Sequence, residues 1–346
     1  MPSIHRSMAQ ATRPLVSVVT PFYNTSGYLA QCIESVLAQS YPEFEYILMD
    51  NCSTDGSADI AETYAQRDSR IRLIRCSQFL SQLANYNRAL AEISGKSKYC
   101  KIVQADDWIF PECLELMVGT FEQSDSIGLV SSYWLTDAEN AVEGSGYPVG
   151  MPILSGRECA QWFLRTGIYI FGSQTTVMYR SSLVRSSESF YDVSLPHADL
   201  EKCMEILERW DFGFVYQVLS FTRRENESII SKFLSLESYW LVPYIITQRY
   251  ATVFLEAGEA AFVKRKSKRT YYRALARAAL RLKGRAYWRY HKAGLKALSE
   301  RETLDWPYLA LQVGAVSLWI ASNPGRTIER ALRGAGNTKV PPVSAK

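Results

Sequence analysis

Two adjacent carboxylates, Asp106 and Asp107, stand where an apolar run gives way to a loop in the segment KIVQADDWIFP. Neighbouring carboxylates repel each other, so the pair costs stability at a strand end unless a cation or ligand hydroxyl groups use it. A hard cation such as Mg²⁺ or Mn²⁺ is commonly held by one or two carboxylates together with substrate phosphates. The pair therefore predicts a cation-assisted diphosphate site. The alternative is that it caps a helix beginning near Pro111.

Polar side chains also follow the first two apolar runs of the chain. Asp50 ends the second run and Asn51 comes next, in the loop DNCSTDGS, where they can accept from and donate to a nucleobase or a ribose. Tyr23 and Asn24 follow the first run, and they can stack on a base and hydrogen-bond to it. The alternative for both loops is ordinary turn chemistry, in which Asp and Asn bond to nearby backbone groups.

Asp199 opens a predicted helix in the segment LPHADLEKCMEIL, next to His197. A carboxylate at such a position is a candidate general base, because the loop lets it face a cleft while the helix holds it in place. The alternative is a helix N-cap, a role that Asp fills routinely. Spacing alone favours the cap.

Several familiar sites are excluded by composition and motif. No GxGxxG follows the first predicted strand, and the triplet Gly95-Lys96-Ser97 lacks the upstream glycine of a phosphate-binding P-loop. The chain has three histidines, and no HExxH motif is present. Its seven cysteines form no CxxC pair, which favours reduced thiols over a zinc site or a disulfide framework. Dinucleotide, P-loop and zinc chemistry are therefore weak candidates.

The elements that must position these residues alternate between short apolar runs and helical periodicity. Strands are predicted at 16–20, 44–49, 71–74, 99–103 and 128–133, with helices between them. Such alternation predicts an α/β fold with a mostly parallel sheet and helices on both faces. Ligands bind beyond the carboxyl ends of the strands in such sheets, which is where the polar loops lie.

The second half of the chain is less regular. A helix is predicted from about 156 to 165, a strand at 175–179, a helix at 200–207 and a strand at 212–221. Residues beyond 231 show almost only helical periodicity. We therefore expect an α/β domain over 14–230 and a basic helical region over 231–346.

Taken in order, the segments VSVVTPFYN, ILMDNCSTDGS, ANYNRAL, KIVQADDWIFPECL, HADLEKC and FTRRENES resemble the family 2 inverting glycosyltransferases, which have the GT-A fold and use nucleotide sugars. The resemblance covers roughly residues 14–230. It implies a surface-polysaccharide type of enzyme with a nucleotide-diphosphate-sugar donor, a glycan or lipid-linked glycan acceptor, and Mn²⁺ or Mg²⁺ as cofactor.

The resemblance also implies roles for individual residues. Asp199 would be the catalytic base, Asp107 the metal ligand, and Asp106 a second carboxylate near the ribose and the metal. The remaining nucleotide-binding positions would be Thr20, Pro21, Tyr23, Asn24, Asp50, Asn51 and Arg223. Gln104 stands where many members have an acidic residue, which implies a metal held by fewer carboxylates, and Asn51 leaves the base open between uracil and guanine.

The net charge is divided unevenly along the chain. Residues 261–346 hold 19 of the 39 Lys and Arg residues and four acids, whereas the first 260 residues carry 20 bases and 31 acids. Arginines recur every four residues from 273 to 289, which predicts one basic helical stripe. A charge-free stretch from 306 to 325 is broken by Pro307 and Gly314 and falls short of the roughly 20 apolar residues that span a bilayer.

We read this tail as a surface for anionic lipid. The alternative is that it packs its apolar side on the acidic domain, and the absence of a recognisable binding fold argues against nucleic acid. The N-terminal residues lack a signal-type apolar segment, so a cytoplasmic protein, peripheral at the inner membrane face, is expected.

The sequence thus predicts a metal-dependent inverting glycosyltransferase. Two other hypotheses stay open: a nucleotidyltransferase, which would consume a nucleoside triphosphate, and a catalytically inactive protein of the same fold that binds a glycan or a nucleotide.

Overall fold

The computed structural model describes residues 13–137, 142–195, 198–224, 236–299 and 303–323. The described strands are β1 (Val16–Phe22), β2 (Phe44–Asp50), β3 (Ile71–Arg75), β4 (Tyr99–Ile102), β5 (Trp108–Ile109), β6 (Ile127–Thr136), β7 (Val142–Glu143), β8 (Ile153–Leu154), β9 (Met178–Arg180) and β10 (Asp211–Thr222). The described helices are α1 (Leu29–Leu37), α2 (Ser57–Arg67), α3 (Gln82–Leu90), α4 (Cys113–Phe121), α5 (Gly156–Thr166), α6 (Ser181–Arg185), α7 (Ala198–Leu207), α8 (Ser238–Phe254), α9 (Ala257–Leu280), α10 (Arg285–Leu295) and α11 (Trp306–Ser322).

One sheet joins these strands in the order β3-β2-β1-β4-β9-β6-β10-β5, with β7 on β6 and β8 on β10. The run β3-β2-β1-β4 is parallel, and so is the pair β6 and β10. The short β9 lies between the two parallel groups and runs antiparallel to β4 and to β6. The sheet is therefore mixed, and its parallel part is built by the first 102 residues and by one later pair.

Helices cover both faces of the sheet, as the sequence predicts. Alternate residues of the central strands point to opposite sides, so Val19 and Ile47 belong to one apolar cluster while Val18 and Leu48 belong to the other. Helices α3, α5, α7 and α8 supply the first cluster, and α1, α2 and α4 supply the second. Because it is covered twice, β1 is buried along its whole length.

The predicted strands and helices lie close to the observed ones, and two expectations about helix caps are corrected. Strands β1 to β4 match their predicted positions within about two residues, and β6 is longer than predicted because it continues to Thr136. The residue before α4 is Glu112, so Asp106 and Asp107 do not cap that helix. Asp199 is the second residue of α7 and thus lies inside the first turn, beyond the N-cap.

The C-terminal helices are joined to the sheet through α8. Apolar residues of α8 and α9 complete the cluster that α5 and α7 begin. Polar contacts reinforce the junction, since Gln161 Nε2 donates to the Phe254 carbonyl at 2.8 Å and Arg165 forms a two-pronged ion pair with Glu259 at 2.7 and 3.0 Å. Helix α8 and the start of α9 therefore pack on the preceding domain, which was the alternative to a lipid-binding tail.

The continuous basic stripe predicted from Arg273 to Arg289 is wrong. Helix α9 ends at Leu280, Leu282 has a left-handed backbone with φ of 55°, and α10 starts at Arg285. The basic residues are thus divided between two helices separated by a turn at 281–284. Among the described residues, no helix is both long and apolar enough to cross a membrane.

Candidate functional site

The loops that follow β1 and β2 are clamped together by Asn24. Its carboxamide oxygen accepts from Thr54 N at 2.8 Å, and its own N–H donates to Ser53 Oγ at 3.1 Å. Asn24 has a positive φ of 49°, a conformation that Asn tolerates better than most residues. Asn24 therefore ties its loop to the loop after β2, 30 residues further along the chain, and so fixes the position of Tyr23 beside it.

Asp55 reinforces the same junction. One carboxylate oxygen accepts from Ser26 N at 2.9 Å, and the other accepts from Ser57 N at 3.0 Å. Although partial burial favours the neutral acid, the hydrogen bonds from Ser57 and Ser26 outweigh it and lower the pKa of the Asp55 carboxyl to about 2. The carboxylate therefore stays ionised near neutral pH, and the two loops stay tied.

Three of the predicted nucleotide contacts lie deeper than the sequence suggests. Thr20 and Pro21 belong to β1 and are buried, and Thr20 Oγ1 lies 2.9 Å from the hydroxyl of Tyr46. The expectation that these two side chains form part of the loop is corrected, because the strand extends past them. Asp50 ends β2, is 4% exposed, and accepts from Ser53 N at 3.0 Å.

Asn51 holds a third loop in place. Its Nδ2 donates to the Leu80 carbonyl at 2.9 Å, and its Oδ1 accepts from Leu80 N at 2.8 Å. The buried amide is thus engaged with the backbone just after β3. This is a positioning role that the sequence pattern did not predict.

The loop that Asn51 holds carries an aromatic residue, Phe79, against Tyr23. The two rings meet edge to face with centroids 4.8 Å apart, and both are exposed, at 60% and 45%. Large exposed aromatic rings are unusual and often mark a binding surface. The pair offers an apolar face beside Asp50 on which a planar base could stack.

Asp107 is buried, at 2% exposure, and both of its oxygens accept hydrogen bonds. Thr175 Oγ1 donates to Oδ2 at 2.6 Å, and Arg223 N donates to Oδ1 at 2.8 Å. Burial, and then the charge of Asp106, raise the pKa of the Asp107 carboxyl above its ordinary value. Asp107 therefore joins three chain segments that are distant in sequence.

The Thr175 segment is itself braced by a buried lysine. Lys101, in β4, donates through Nζ to the carbonyls of Thr175 and Val177, the second at 3.4 Å. Gln104 N donates to Thr175 Oγ1 at 3.0 Å. Burial lowers the pKa of the Lys101 ammonium, since the charged form loses its hydration. The segment that donates to Asp107 is thus held by a residue of β4 in the central sheet.

Asp106 and Arg223 adjoin the buried Asp107, and both are half-buried. Arg223 Nε donates to the Asp106 carbonyl at 3.1 Å, and Nη2 donates to Gln31 Oε1 at 3.1 Å. The guanidinium lies 4.5 Å from the ring of Tyr28 and 5.4 Å from that of Trp108. These contacts fix a positive group beside the carboxylate pair.

Asp199 lies in the first turn of α7. It is half-exposed there, where the helix dipole favours a carboxylate. Burial raises the pKa of the Tyr169 hydroxyl, and the charge of Asp199 adds to the rise. Asp199 is thus a solvent-accessible carboxylate on an ordered helix.

In the described part of the chain, no group of three or more His, Cys, Asp or Glu side chains could enclose a metal ion. Gln104, which stands where many members of the resembled family have an acidic residue, donates through Nε2 to the hydroxyl of Tyr86 at 3.0 Å. A cation at this edge would therefore take a single carboxylate or two from the protein and complete its shell with phosphate oxygens and water. The donor set fits a hard ion such as Mg²⁺ or Mn²⁺.

The sequence reasoning missed Phe79, Thr175, Tyr28 and Trp108. Phe79 follows the carboxyl end of β3, so the rule that ligands bind at strand ends could have found it. Thr175 and the two rings next to Arg223 carried no signal, because their contacts join residues separated by 68 or more positions in the chain.

Comparison with known proteins identifies similar sequences and folds. Residues 17–186 match the family model for glycosyl transferase family 2. Glycosyltransferase GlyG of Streptococcus pneumoniae serotype 4 is 28% identical over 166 residues, which cover 45% of this chain and 54% of that protein. The chain therefore spans about half the length of this curated relative.

Solved structures extend the likeness of the fold. S. aureus TarS 1–349 in complex with UDP-GlcNAc superposes with a TM-score of 0.59 at 19% identity, over 83% of this chain and 82% of that one. Mannosyltransferase PcManGT from Pyrobaculum calidifontis, in complex with GDP-Man and Mn²⁺, gives 0.52 at 14% identity, over 84% and 89%. With the family match over residues 17–186, about half of the chain, these likenesses identify that part as a glycosyl transferase family 2 domain with a GT-A fold.

Proposed function

We propose that the protein is a metal-dependent inverting glycosyltransferase that uses a nucleotide-diphosphate sugar. The observation that carries the proposal is the arrangement at the carboxyl edge of β4, where half-buried Asp106 and Arg223 stand on a buried support formed by Asp107. A carboxylate and a guanidinium side by side are suited to a metal-bound diphosphate, since one contacts the cation and the other the phosphate oxygens.

This proposal exchanges the roles suggested for the two acids. Asp107 has both oxygens engaged by Thr175 and Arg223 and is buried, so it acts as the support. Asp106 is the more exposed of the pair and would contact the metal. A bound Mn²⁺ or Mg²⁺ would supply positive charge to the leaving diphosphate.

The base of the donor would lie near the exposed pair Tyr23 and Phe79, with Asp50 beneath it. Stacking on aromatic rings accepts any base, because every base has a flat face. Selection between uracil and guanine would then depend on hydrogen bonds from polar groups around the two rings. The structural relatives hold UDP-GlcNAc in one case and GDP-Man in the other.

Asp199 would act as the base toward the acceptor. Its carboxylate takes the proton of an acceptor hydroxyl while that oxygen forms a bond to the anomeric carbon. The bond from the anomeric carbon to the diphosphate oxygen breaks on the opposite side, and the electron pair leaves with the nucleoside diphosphate. One displacement inverts the carbon, so a single carboxylate is enough.

The donor assay tests this proposal directly. The purified chain is incubated with UDP-, GDP- and dTDP-sugars and Mn²⁺ or Mg²⁺, and release of nucleoside diphosphate is measured beside Asp106→Asn. Metal-dependent release from one donor, which in the variant requires a higher metal concentration, supports the proposal. Pyrophosphate release from a nucleoside triphosphate would indicate a nucleotidyltransferase. Binding of a nucleotide sugar without turnover, with acceptors supplied, would indicate an inactive binding protein.

The proposed acceptor is a glycan or a lipid-linked glycan, with the enzyme at an anionic membrane surface. An open groove along one face of α10 is lined by Arg285, Trp288, Arg289, Lys292 and Lys296. Lys292 Nζ lies 5.1 Å from the ring of Trp306, which is 53% exposed. Cations interleaved with tryptophan suit the headgroup region of a bilayer.

Helix α11, whose first residue Trp306 lies near Lys292, also has an exposed apolar face. Leu311 and Leu318, seven residues apart and therefore on one side of the helix, are 64% and 71% exposed. We expect sedimentation with vesicles containing phosphatidylglycerol, and loss of it in the double variant Arg289→Gln, Lys292→Gln. Equal recovery with neutral vesicles, or no effect of the double variant, would remove the membrane from the proposal.

A further inference from the structure

A second cavity lies at the amino edge of the parallel strands, opposite the loop cluster. The segment before β1 (13–15) and the segment before β4 (95–98) line it, together with Arg180 at the end of the antiparallel β9. Backbone hydrogen bonds join these segments, since Lys98 N donates to the Leu15 carbonyl at 2.9 Å and Ser181 N donates to the Lys98 carbonyl at 3.0 Å. The cavity has a volume of about 590 Å³, within the range of small-molecule sites.

The lining of this cavity is strongly cationic. It contains Arg13, Lys96, Lys98, Arg180 and Arg185 against a single acid, Glu122. Lys98 Nζ contacts Glu122 at 2.7 Å, and Arg180 Nη1 lies 4.0 Å from the carboxylate of the exposed Asp125, which leaves Arg13, Lys96 and Arg185 without a neighbouring acid among the described residues. Like charges gathered around one concavity repel each other, so the arrangement favours an anion that neutralises them.

Arg180 is the central cation of the cavity. It is 9% exposed, its Nε donates to the Ile127 carbonyl at 2.9 Å, and its Nη2 is buried with no hydrogen-bond partner. The guanidinium also lies 5.4 Å from the ring of Trp210 and 5.8 Å from that of Phe121. A buried donor without an acceptor is costly, so Arg180 retains donor capacity that the protein itself does not use.

Arg185 is held rigidly at the rim. Its Nη1 donates to the carbonyls of Ser94 and Ser97, both at 3.1 Å. A guanidinium fixed in this way loses little freedom when a further ligand binds, which favours recognition of an oxyanion. Residues 1–12, which precede Arg13, contain no Asp or Glu in the sequence and so bring no carboxylate to this cluster.

The cavity is separate from the proposed donor site. The parallel strand β1 runs from this edge to the loop cluster over seven residues, which is roughly 20 Å at the usual strand rise. A diphosphate held beside Arg223 therefore cannot reach the cavity. A ligand here would be a second molecule or the headgroup of a lipid.

We propose that this amino-edge cavity is a second anion site, which binds a phosphate-bearing ligand through Arg180, Arg185 and Lys96. Phosphate groups match the planar donors of two arginines and the point charge of a lysine. The source of the phosphate is either a free phosphorylated molecule or an anionic lipid, and the two are distinguished by the probes below.

The test uses calorimetry of the full chain with inorganic diphosphate in metal-free buffer. We expect binding that weakens about tenfold in the double variant Arg13→Gln, Lys96→Gln, in which two exposed cations are removed without disturbing the core. The matched control is Arg67→Gln, Lys266→Gln, which removes the same charge from exposed helix positions elsewhere. Arg180→Gln, with its melting temperature measured beside it, tests the central cation.

A parallel arm uses phosphatidylcholine vesicles with and without phosphatidic acid. Vesicle binding that the cavity variants lose, without binding of soluble diphosphate, assigns the site to lipid phosphate. Diphosphate binding that Arg223→Gln weakens and the cavity variants leave unchanged would place the anion in the donor site and overturn the proposal. An absence of binding to both inorganic diphosphate and the phosphatidic acid vesicles would also overturn the proposal. Sugar-nucleotide turnover is a separate readout, so the proposed function can hold or fail independently.

Discussion

Two buried polar networks join distant segments of this molecule, one around Asp107 and the other around His291. Asp107 accepts from Thr175 and Arg223 at the sheet edge. His291 lies 3.0 Å from the hydroxyl of Tyr271 through Nδ1 and 3.0 Å from the Leu236 carbonyl through Nε2, among the C-terminal helices. Each network thus rests on one fully buried group with two hydrogen bonds.

The surroundings of the two networks differ. Asp107 adjoins half-buried charged groups, Asp106 and Arg223, whereas His291 is enclosed by aromatic rings, that of Tyr287 with its centroid at 4.3 Å. A buried polar group next to exposed charge can support a binding site, while one enclosed by rings can only support the fold. Changes near the first should therefore alter activity, and changes near the second should alter stability.

The largest effect is expected at Asp199. Replacing it by Asn removes the proposed proton acceptor and should lower turnover by at least ~10²-fold while donor binding is kept, as for other general bases. The measurement is turnover with a saturating donor beside a donor-binding titration. Glu205→Gln, an exposed acid on the same helix, serves as the matched control. Full turnover in Asp199→Asn would remove Asp199 from the role.

The second effect concerns pH and the helical region. Burial lowers the pKa of His291 to about 4, although its bond to the Leu236 carbonyl opposes this. The unfolded chain, with a pKa near 6.5, takes up the proton first, so stability is present above about pH 6.5 and is lost as the pH falls toward 4. The loss should reach about 3 kcal/mol.

The measurement is the free energy of unfolding from pH 7 to pH 4, for the wild type and for His291→Gln, which does not titrate. The wild type should lose more stability over this range than the variant does. Parallel curves would show that His291 does not contribute to the pH dependence.

The third effect distinguishes the two adjacent acids. Asp106→Asn should weaken the apparent metal affinity of the donor complex by about tenfold to a hundredfold, the range for losing a contact with a charged group. Its melting temperature should stay near that of the wild type, since Asp106 is only half-buried. A variant with unchanged metal dependence would return the ligand role to Asp107.

A smaller loss is expected at the support of Asp107. Thr175→Val removes the hydroxyl that donates to Oδ2 and leaves a buried oxygen without its partner, which should cost about 1–3 kcal/mol of folding free energy. Thr175→Ser keeps the hydroxyl and is the matched control. Equal unfolding curves for the two variants would mean that the hydrogen bond contributes nothing.

The smallest effect is expected at the exposed aromatic pair. Phe79→Ala should weaken donor binding by about 1 kcal/mol, the lower end for stacking of one base on a ring. Phe262→Ala is closely matched, because Phe262 on α9 is also 60% exposed. A similar donor affinity in both variants would show that Phe79 does not contact the base of the donor.

The first four strands could be predicted from the sequence because each is a short apolar run closed by turn residues, and the structure confirms them within about two residues. Their carboxyl ends identified the edge where Asp50 and Asp106 lie. The predicted strand at 175–179 overlaps β9, but its antiparallel direction carried no signal in the sequence, since it depends on the place of β9 between β4 and β6.

Sequence spacing could not predict which of the adjacent acids, Asp106 or Asp107, is buried. Whether Asp107 or Asp106 faces the solvent depends on Thr175 and Arg223, which approach from positions 68 and 116 residues further along the chain. The break between α9 and α10 was also hidden, because the arginine period continues through it while the backbone turns at Leu282.

The packing of α8 into the sheet's core affects how the chain can be divided. The family match ends at residue 186, yet Ile246 and Tyr250 of α8 belong to the same apolar cluster as Leu200 of α7 and Val19 of β1. A fragment cut near residue 230 would expose that cluster to water. Sequence similarity thus defines a shorter unit than folding does, and the sheet and α8 should unfold in one cooperative transition.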